Sequence, residues 1–287
     1  MIILRNAYLT ASIHPVGAEL QSLKHANGIE YMWQAGAAWP KHSPVLFPIV
    51  GTLKDNRYYH EGNEYSLPRH GFAREMEFET TQLSETEALF TLTANEETLK
   101  KYPFHFQFSL RYTLKDDTLS CAYEVTHNNT SAILFSVGGH PAFAVPLTAN
   151  TSYEDHYLQF DVEEPLHRWK LQDGLLANNT VPISTQQGNI VPLQHELFYE
   201  DAIVLKHLQS SAVSIGSSKH THGLSFQFAG FPHLGIWAAK DADFVCIEPW
   251  FGHADSIGHN QQLADKEGII SLPAGKEWSK AWSVRCY

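Results

Sequence analysis

Apolar and polar residues alternate along much of this chain in runs of roughly five to eight residues, the period of strands with one face in a core. The clearest run is Phe104-His-Phe-Gln-Phe-Ser-Leu-Arg-Tyr-Thr-Leu, in which Phe104, Phe106, Phe108, Leu110 and Tyr112 fall on one face. Similar alternation fills Ala88 to Thr93, Thr118 to His127, Ala212 to Gly216, Leu224 to Phe228, Leu234 to Ala238 and Lys276 to Tyr287. Glu61-Gly-Asn-Glu64, between Arg57-Tyr-Tyr-His and Tyr65-Ser-Leu, predicts a hairpin, and Asp116-Asp117 a tight turn. Helical patterns are scarce. Glu96-Glu-Thr-Leu-Lys-Lys predicts a short helix stopped by Pro103, and 195–198 and 260–265 a turn each. The expected fold class is all-β: a large antiparallel β-sandwich with few short helices, in one domain over residues 1–287.

Five stretches depart from strand pattern. Ser43-Pro-Val-Leu-Phe-Pro-Ile-Val-Gly carries two prolines and is excluded from a central strand, because each proline removes a ladder donor. Leu67-Pro-Arg-His-Gly-Phe-Ala-Arg74 sets His70 between two arginines. Val137-Gly-Gly-His-Pro-Ala-Phe fixes His140 between a flexible pair and a rigid ring. Leu197-Phe-Tyr-Glu-Asp-Ala-Ile puts Asp201 ahead of an apolar strand. Asp243-Phe-Val-Cys-Ile-Glu-Pro-Trp-Phe-Gly ends an apolar strand on Glu248, beside an expected exposed Trp250. Carboxylate, histidine and arginine bond sugar hydroxyls while aromatic faces pack on a pyranose, so this set suits a sugar site. Apolar neighbours raise the pKa of a carboxyl such as Glu248.

Each stretch also has a bland reading. Most of the seventeen histidines in such a chain are surface or core residues. His220-Thr-His222 has ligand-like spacing, but no third ligand stands out, and no metal is expected. Trp278 and Trp282 alternate as core residues do. Residue chemistry reaches an all-β chain with a sugar-binding site and stops short of a reaction.

Composition narrows the partners. The formal net charge is −11 with no cluster of Lys and Arg, which disfavours nucleic acid and anionic membrane as partners. No apolar run approaches the about 20 residues that cross a bilayer. Three scattered cysteines, Cys121, Cys246 and Cys286, suit a reducing compartment, so a cytoplasmic protein is expected.

Taken in order, Leu46-Phe-Pro-Ile-Val-Gly, Leu67 to Arg74, Gly139-His-Pro-Ala-Phe143, Asp201-Ala-Ile and Cys246-Ile-Glu-Pro-Trp250 resemble the aldose 1-epimerase (galactose mutarotase) superfamily, in its LacX-type branch. The resemblance implies that family's supersandwich and chemistry without metal or cofactor. It places the catalytic base on Glu248, the acid on His140, a second site histidine on His70 and a substrate-holding aspartate on Asp201. Arg74 resembles an arginine of related hexose-6-phosphate mutarotases, and Trp250 falls beside the base. The implied reaction opens a hemiacetal by taking the O1 proton and protonating O5, then closes it on the other face.

There are departures from the family pattern. Thr52 stands where many relatives carry an arginine, with Lys54 or Arg57 as possible substitutes, and the asparagine-rich stretch typical of galactose mutarotases is absent. The expected partner is therefore a small aldose, free or phosphorylated, bound by a monomer or homodimer. Competing readings are a non-catalytic sugar-binding or regulatory protein, and a sugar-phosphate mutarotase using Arg69 and Arg74. A glycosidase fits less well, since only one site carboxylate stands out where two are usual.

Overall fold

Strand Phe106–Lys115 buries Phe106, Phe108, Leu110, Tyr112 and Leu114 on one face, as the alternation requires. In this computed structural model, which describes residues Met1–Tyr287, that strand pairs with Glu87–Thr93 on one side and Thr118–His127 on the other. They belong to a nine-stranded sheet, continued through Trp278–Cys286, Leu224–Gln227, Ala212–Ser217 and His156–Phe160 to Ile190–Pro192, with Glu79–Gln82 at the opposite edge. A second sheet runs Leu175–Pro182, His167–Gln172, Ile203–Lys206, His233–Trp237, Phe244–Phe251, Val137–Gly139 and Val45–Leu46. Ala142–Ala144 also pairs with Phe244–Phe251. Every pairing within these two sheets is antiparallel.

The two sheets meet through their apolar faces. Phe143 of the second lies edge-on to Phe226 of the first, with ring centroids 5.9 Å apart. Gly139 sits so close to Tyr123 that a Cβ there would come within 2.5 Å of its hydroxyl, which already accepts from Trp282 Nε1 at 2.7 Å. One hydrophobic cluster of 67 buried residues fills the space between and extends to the separate three-stranded sheet Ile2–Arg5, Leu9–His14 and Glu19–His25. Trp282 is a core residue, as its alternation implied, and all three cysteines are free and buried.

The small elements follow their local chemistry. The proline-rich first stretch forms only the two-residue edge strand Val45–Leu46. The hairpin Arg57–His60 / Asn63–Ser66 turns through Glu61 and Gly62, both at positive φ, so its loop is tighter than the four residues expected. Helix Glu96–Leu99 is capped by Asn95, whose side chain accepts from the backbone of Glu97 and Thr98. The turns at 195–198 and 260–265 appear as the 3-10 segments His195–Phe198 and Leu263–Asp265. No helix is long and apolar enough to cross a membrane.

One expectation needs correction. Glu248 does not end its strand, because Phe244–Phe251 continues through Pro249 and is buried on both faces almost throughout. Ile247, two residues earlier, donates its N–H to Pro141 O at 3.2 Å. The N–H that Pro249 lacks therefore falls on the same edge, where the ladder to Val137–Gly139 and Ala142–Ala144 is interrupted.

Candidate functional site

That interrupted ladder sets the central geometry. Gly138 pairs with Trp250 and Ala142 with Cys246, so the register carried between them puts His140 opposite Glu248. Directly opposed residues on one face have Cβ atoms about 4.5–5.5 Å apart, within reach of a side-chain contact. Accordingly His140 Nε2 lies 3.3 Å from Glu248 Oε2. Both side chains are buried, yet Glu248 Oε2 and His140 Nδ1 complete no hydrogen bond. A buried acid and base with unspent lone pairs and protons form a site prepared for a polar ligand.

Aromatic rings fix the histidine. Trp39 stacks on His140 with centroids 5.1 Å apart, and Trp237 meets it edge-on at 5.6 Å. Trp250 lines the cleft but is not exposed as expected: it is 5% accessible. Its indole lies against Gly138 and Gly235, where added Cβ atoms would approach within 2.6 and 2.4 Å. Its N–H has no partner.

His70 enters from the other side on a strained turn. Its φ is +69° and that of Gly71 is +73°, both left-handed. A Cβ at Gly71 would sit 2.2 Å from Phe47 O, so only glycine fits. Gly71→Ala is expected to cost at least about 1–2 kcal/mol, read by urea unfolding, and to displace His70. An unchanged midpoint would show that the turn relaxes freely.

The Gly51 N–H donates to His70 Nδ1 at 3.1 Å. An accepting Nδ1 puts the ring proton on Nε2, which then serves as a donor. Arg69 Nε also lies 3.3 Å from Nε2, a contact that cannot be a hydrogen bond in the same tautomer. The shorter, buried backbone bond decides the tautomer.

Asp201 also occupies a strained position, at φ +82°. Its Oδ1 accepts from Ala202 N–H at 2.7 Å, and Arg69 Nη2 lies 3.9 Å away. Arg74, in the 3-10 turn Ala73–Glu75, donates from Nη2 to Arg69 O at 3.0 Å. Together Trp39, Arg69, His70, Arg74, His140, Asp201, Trp237, Glu248 and Trp250 line one cleft of about 340 Å³. A larger hollow of about 520 Å³ beside the Arg57–Ser66 hairpin is wide open and contains none of these groups.

All six residues expected at the site thus converge. Neither Lys54 nor Arg57 replaces the cation missing at Thr52. Lys54 Nζ donates to His259 O, and Arg57 faces Asp55 and Glu64 on the hairpin. Arg69 supplies a cation to the cleft instead. Trp39 and Trp237 were not expected at the site, although a tryptophan in the Ala-Gly-Ala-Ala-Trp-Pro loop was a usable signal, and Arg69 was expected there only for phosphate.

The electrostatics follow from burial. Desolvation holds the Glu248 carboxyl well above its ordinary range, with Arg69 opposing the shift and Asp201 adding to it. Desolvation first, then the charges of Arg69 and Arg74, push His140 down to about 3. His70 is held well below its ordinary value by burial first and Arg69 second. Proton donor and acceptor face each other with both side chains buried, so the pair favours holding one proton between them, without net charge.

His140, Cys246 and Glu248 also place donor atoms within 4.8 Å of one another, compact enough for an ion. Burial and Glu248 raise the Cys246 thiol, however, and a protonated thiol is a poor ligand. The trio therefore suits proton transfer better than metal binding.

Behind Gly51 lies a buried charge cluster that the sequence did not mark. Asp255 and Lys266 are 2% and 3% accessible, with Lys266 Nζ 2.8 Å from Asp255 Oδ1. Lys266 also donates to His253 O at 2.6 Å. Asp255 Oδ2 accepts from Lys54 N–H at 2.9 Å, and Asp255 N–H donates to Thr52 O at 2.9 Å. The pair thus holds the 51–54 turn, whose first amide sets the His70 tautomer.

Comparison with known proteins gives the lineage. A family model described as aldose 1-epimerase matches residues 1–263. The plasmid-encoded protein LacX of Lactococcus lactis subsp. lactis is 33% identical over 280 residues, covering 94% of this chain and 93% of its own. A galactose mutarotase related enzyme from Lactobacillus acidophilus superposes with a TM-score of 0.95 at 34% identity, covering 100% of this chain and 97% of its own. A galactose mutarotase-like protein from Lactobacillus casei gives 0.93 at 32% identity, with 100% of both chains covered.

Proposed function

We propose, from the premise that this chain belongs to the aldose 1-epimerase family, that it interconverts the α and β anomers of an aldose at Glu248 and His140. The observation that carries this reading is the cross-strand contact of 3.3 Å between His140 Nε2 and Glu248 Oε2 inside the cleft. Glu248 as carboxylate takes the O1 proton while His140 as imidazolium gives its proton to O5, and the C1–O5 bond breaks. The open aldehyde is then flanked by a neutral carboxylic acid and a neutral imidazole. Rotation about C1–C2 and the reverse transfers close the ring on the other face. Atoms and charge balance, and the pair keeps one proton throughout.

Burial favours the neutral arrangement at rest as well as beside the open chain, so the charge-separated Glu248–His140 pair is the less populated form from which the step begins. The two transfers discharge that pair, and the barrier falls to the extent that the cleft holds the half-transferred protons better than it holds the bound ring. His70 Nε2–H donates to the developing charge at O5, Asp201 and Arg69 hold hydroxyls, and Trp39, Trp237 and Trp250 form the apolar walls.

The pH dependence follows. Activity needs the singly protonated pair. A second proton is resisted because burial pushes His140 down, and loss of the last proton is resisted because burial pushes Glu248 up. The kcat/KM for anomer exchange is therefore expected to stay level as pH falls through 6.5, the ordinary histidine value. A midpoint near 6.5 on the acid limb would contradict the one-proton pair.

A phosphorylated aldose is a second reading, favoured by Arg69 and Arg74 lining the same cleft, where Arg74 Nε faces only Glu75 Oε1, at 3.6 Å and short of a hydrogen bond. Exchange NMR on glucose, galactose and their 6-phosphates tests both. Acceleration above the buffer rate supports the epimerase, and the preferred member of each pair identifies the class. Binding without acceleration would leave a sugar-binding protein.

A further inference from the structure

The His220-Thr-His222 spacing lacks a third ligand along the chain, but the fold brings one. Strand His156–Phe160 pairs with Ala212–Ser217 so that His156 lies opposite Ser217. The segment after Ser217 therefore returns over His156. The rings of His156 and His220 have centroids 5.4 Å apart, and those of His220 and His222 5.7 Å apart. A Zn–N bond of about 2.0–2.1 Å with tetrahedral angles puts two coordinated imidazole centroids about 5 Å apart. The observed spacings are close to that.

The polar atoms point the same way. His156 is 1% accessible, and its Nδ1 lies 2.9 Å from Ser152 O. A carbonyl only accepts, so Nδ1 carries the proton and Nε2 the lone pair. A backbone carbonyl holding one imidazole nitrogen is the arrangement that orients the other toward a metal. That Nε2 is buried and has no partner. Both His220 nitrogens are likewise buried and unpartnered. Leaving such atoms unsatisfied is costly, and a shared ion would satisfy His156 Nε2 and one nitrogen of His220.

We infer that His156, His220 and His222 form a three-histidine site for a divalent transition metal such as Zn²⁺, separate from the sugar cleft. Unlike His140, Cys246 and Glu248, these donors are not already within 4.8 Å of one another. The site closes by turning the His220 and His222 rings, which lie outside regular strands. With three protein nitrogens as ligands, the fourth position is left for water, and the bound ion ties this loop to strand His156–Phe160.

Zn²⁺ titrated calorimetrically into the chelator-treated full chain tests the inference. One ion per chain is expected, with affinity at least tenfold weaker in His220→Gln and in His222→Gln, and unchanged in His140→Gln. Co²⁺ should give the visible absorption of a tetrahedral nitrogen-rich site, lost in His222→Gln. Neither loop variant should lower the urea midpoint without metal, since His220 leaves two buried ring nitrogens unpaired and His222 is half-buried in a loop. Absence of stoichiometric binding, or binding that survives both loop variants, would overturn the site. Binding lost in His140→Gln instead would move the ion to the cleft and equally overturn it.

Discussion

Replacing Glu248 by glutamine is expected to reduce anomer exchange by about 10²–10⁴-fold, the range contributed by one general acid or base. Glutamine keeps the shape and burial of the side chain but cannot take a proton from O1. Stability should not fall with activity. Glu248 is buried, its Oε2 has no hydrogen-bond partner, and desolvation raises its pKa. Removing an ionisable group from that environment leaves the urea midpoint level or raises it. His140→Asn should cause a loss of similar size. Because acid and base act as a unit, the double variant should be little slower than either single one. Multiplicative losses would mean that the two residues act independently, against the shared-proton mechanism.

Lys266→Met should have the largest effect on stability, about 3–5 kcal/mol, the usual cost of breaking a buried pair by removing one partner. The Asp255 carboxylate would keep the Lys54 N–H at 2.9 Å but would lose its ammonium. Adding Asp255→Asn should recover part of the loss, since an amide tolerates burial without a countercharge. Urea unfolding of the two single variants and the double variant measures the coupling. Additive losses would show that the ion pair contributes nothing beyond its separate members. The cluster also supports the 51–54 turn, so surviving Lys266→Met protein should exchange anomers more slowly.

The parts of the fold with a local cause were legible in the sequence. Aromatic alternation marked Phe106–Lys115, two prolines confined Val45–Leu46 to an edge, and the polar run from Glu96 ahead of Pro103 marked the short helix Glu96–Leu99. The parts set by long-range pairing were less so. His140 and Glu248 face each other because strands far apart in sequence share one register, and no local spacing encodes that contact. The family resemblance joined them before the register could. Pro249 disguised the continuation of its strand, since a proline is tolerated there only because the neighbouring ladder is interrupted. Asp255 and Lys266 belong to residue types that are almost always solvated, so nothing in their neighbours announces full burial. His156 is a comparable case, since only the pairing of two strands brings it under the His220 loop.

The central claim is acid–base anomer exchange at the Glu248–His140 pair, and exchange NMR on the α and β C1 protons of free and 6-phosphorylated glucose and galactose tests it most directly. Wild-type protein should exchange at least one of these sugars well above the buffer rate, and Glu248→Gln at the same concentration should fall back nearly to that rate. Buffer-rate exchange of every sugar by the wild type, or undiminished exchange by Glu248→Gln, would contradict it.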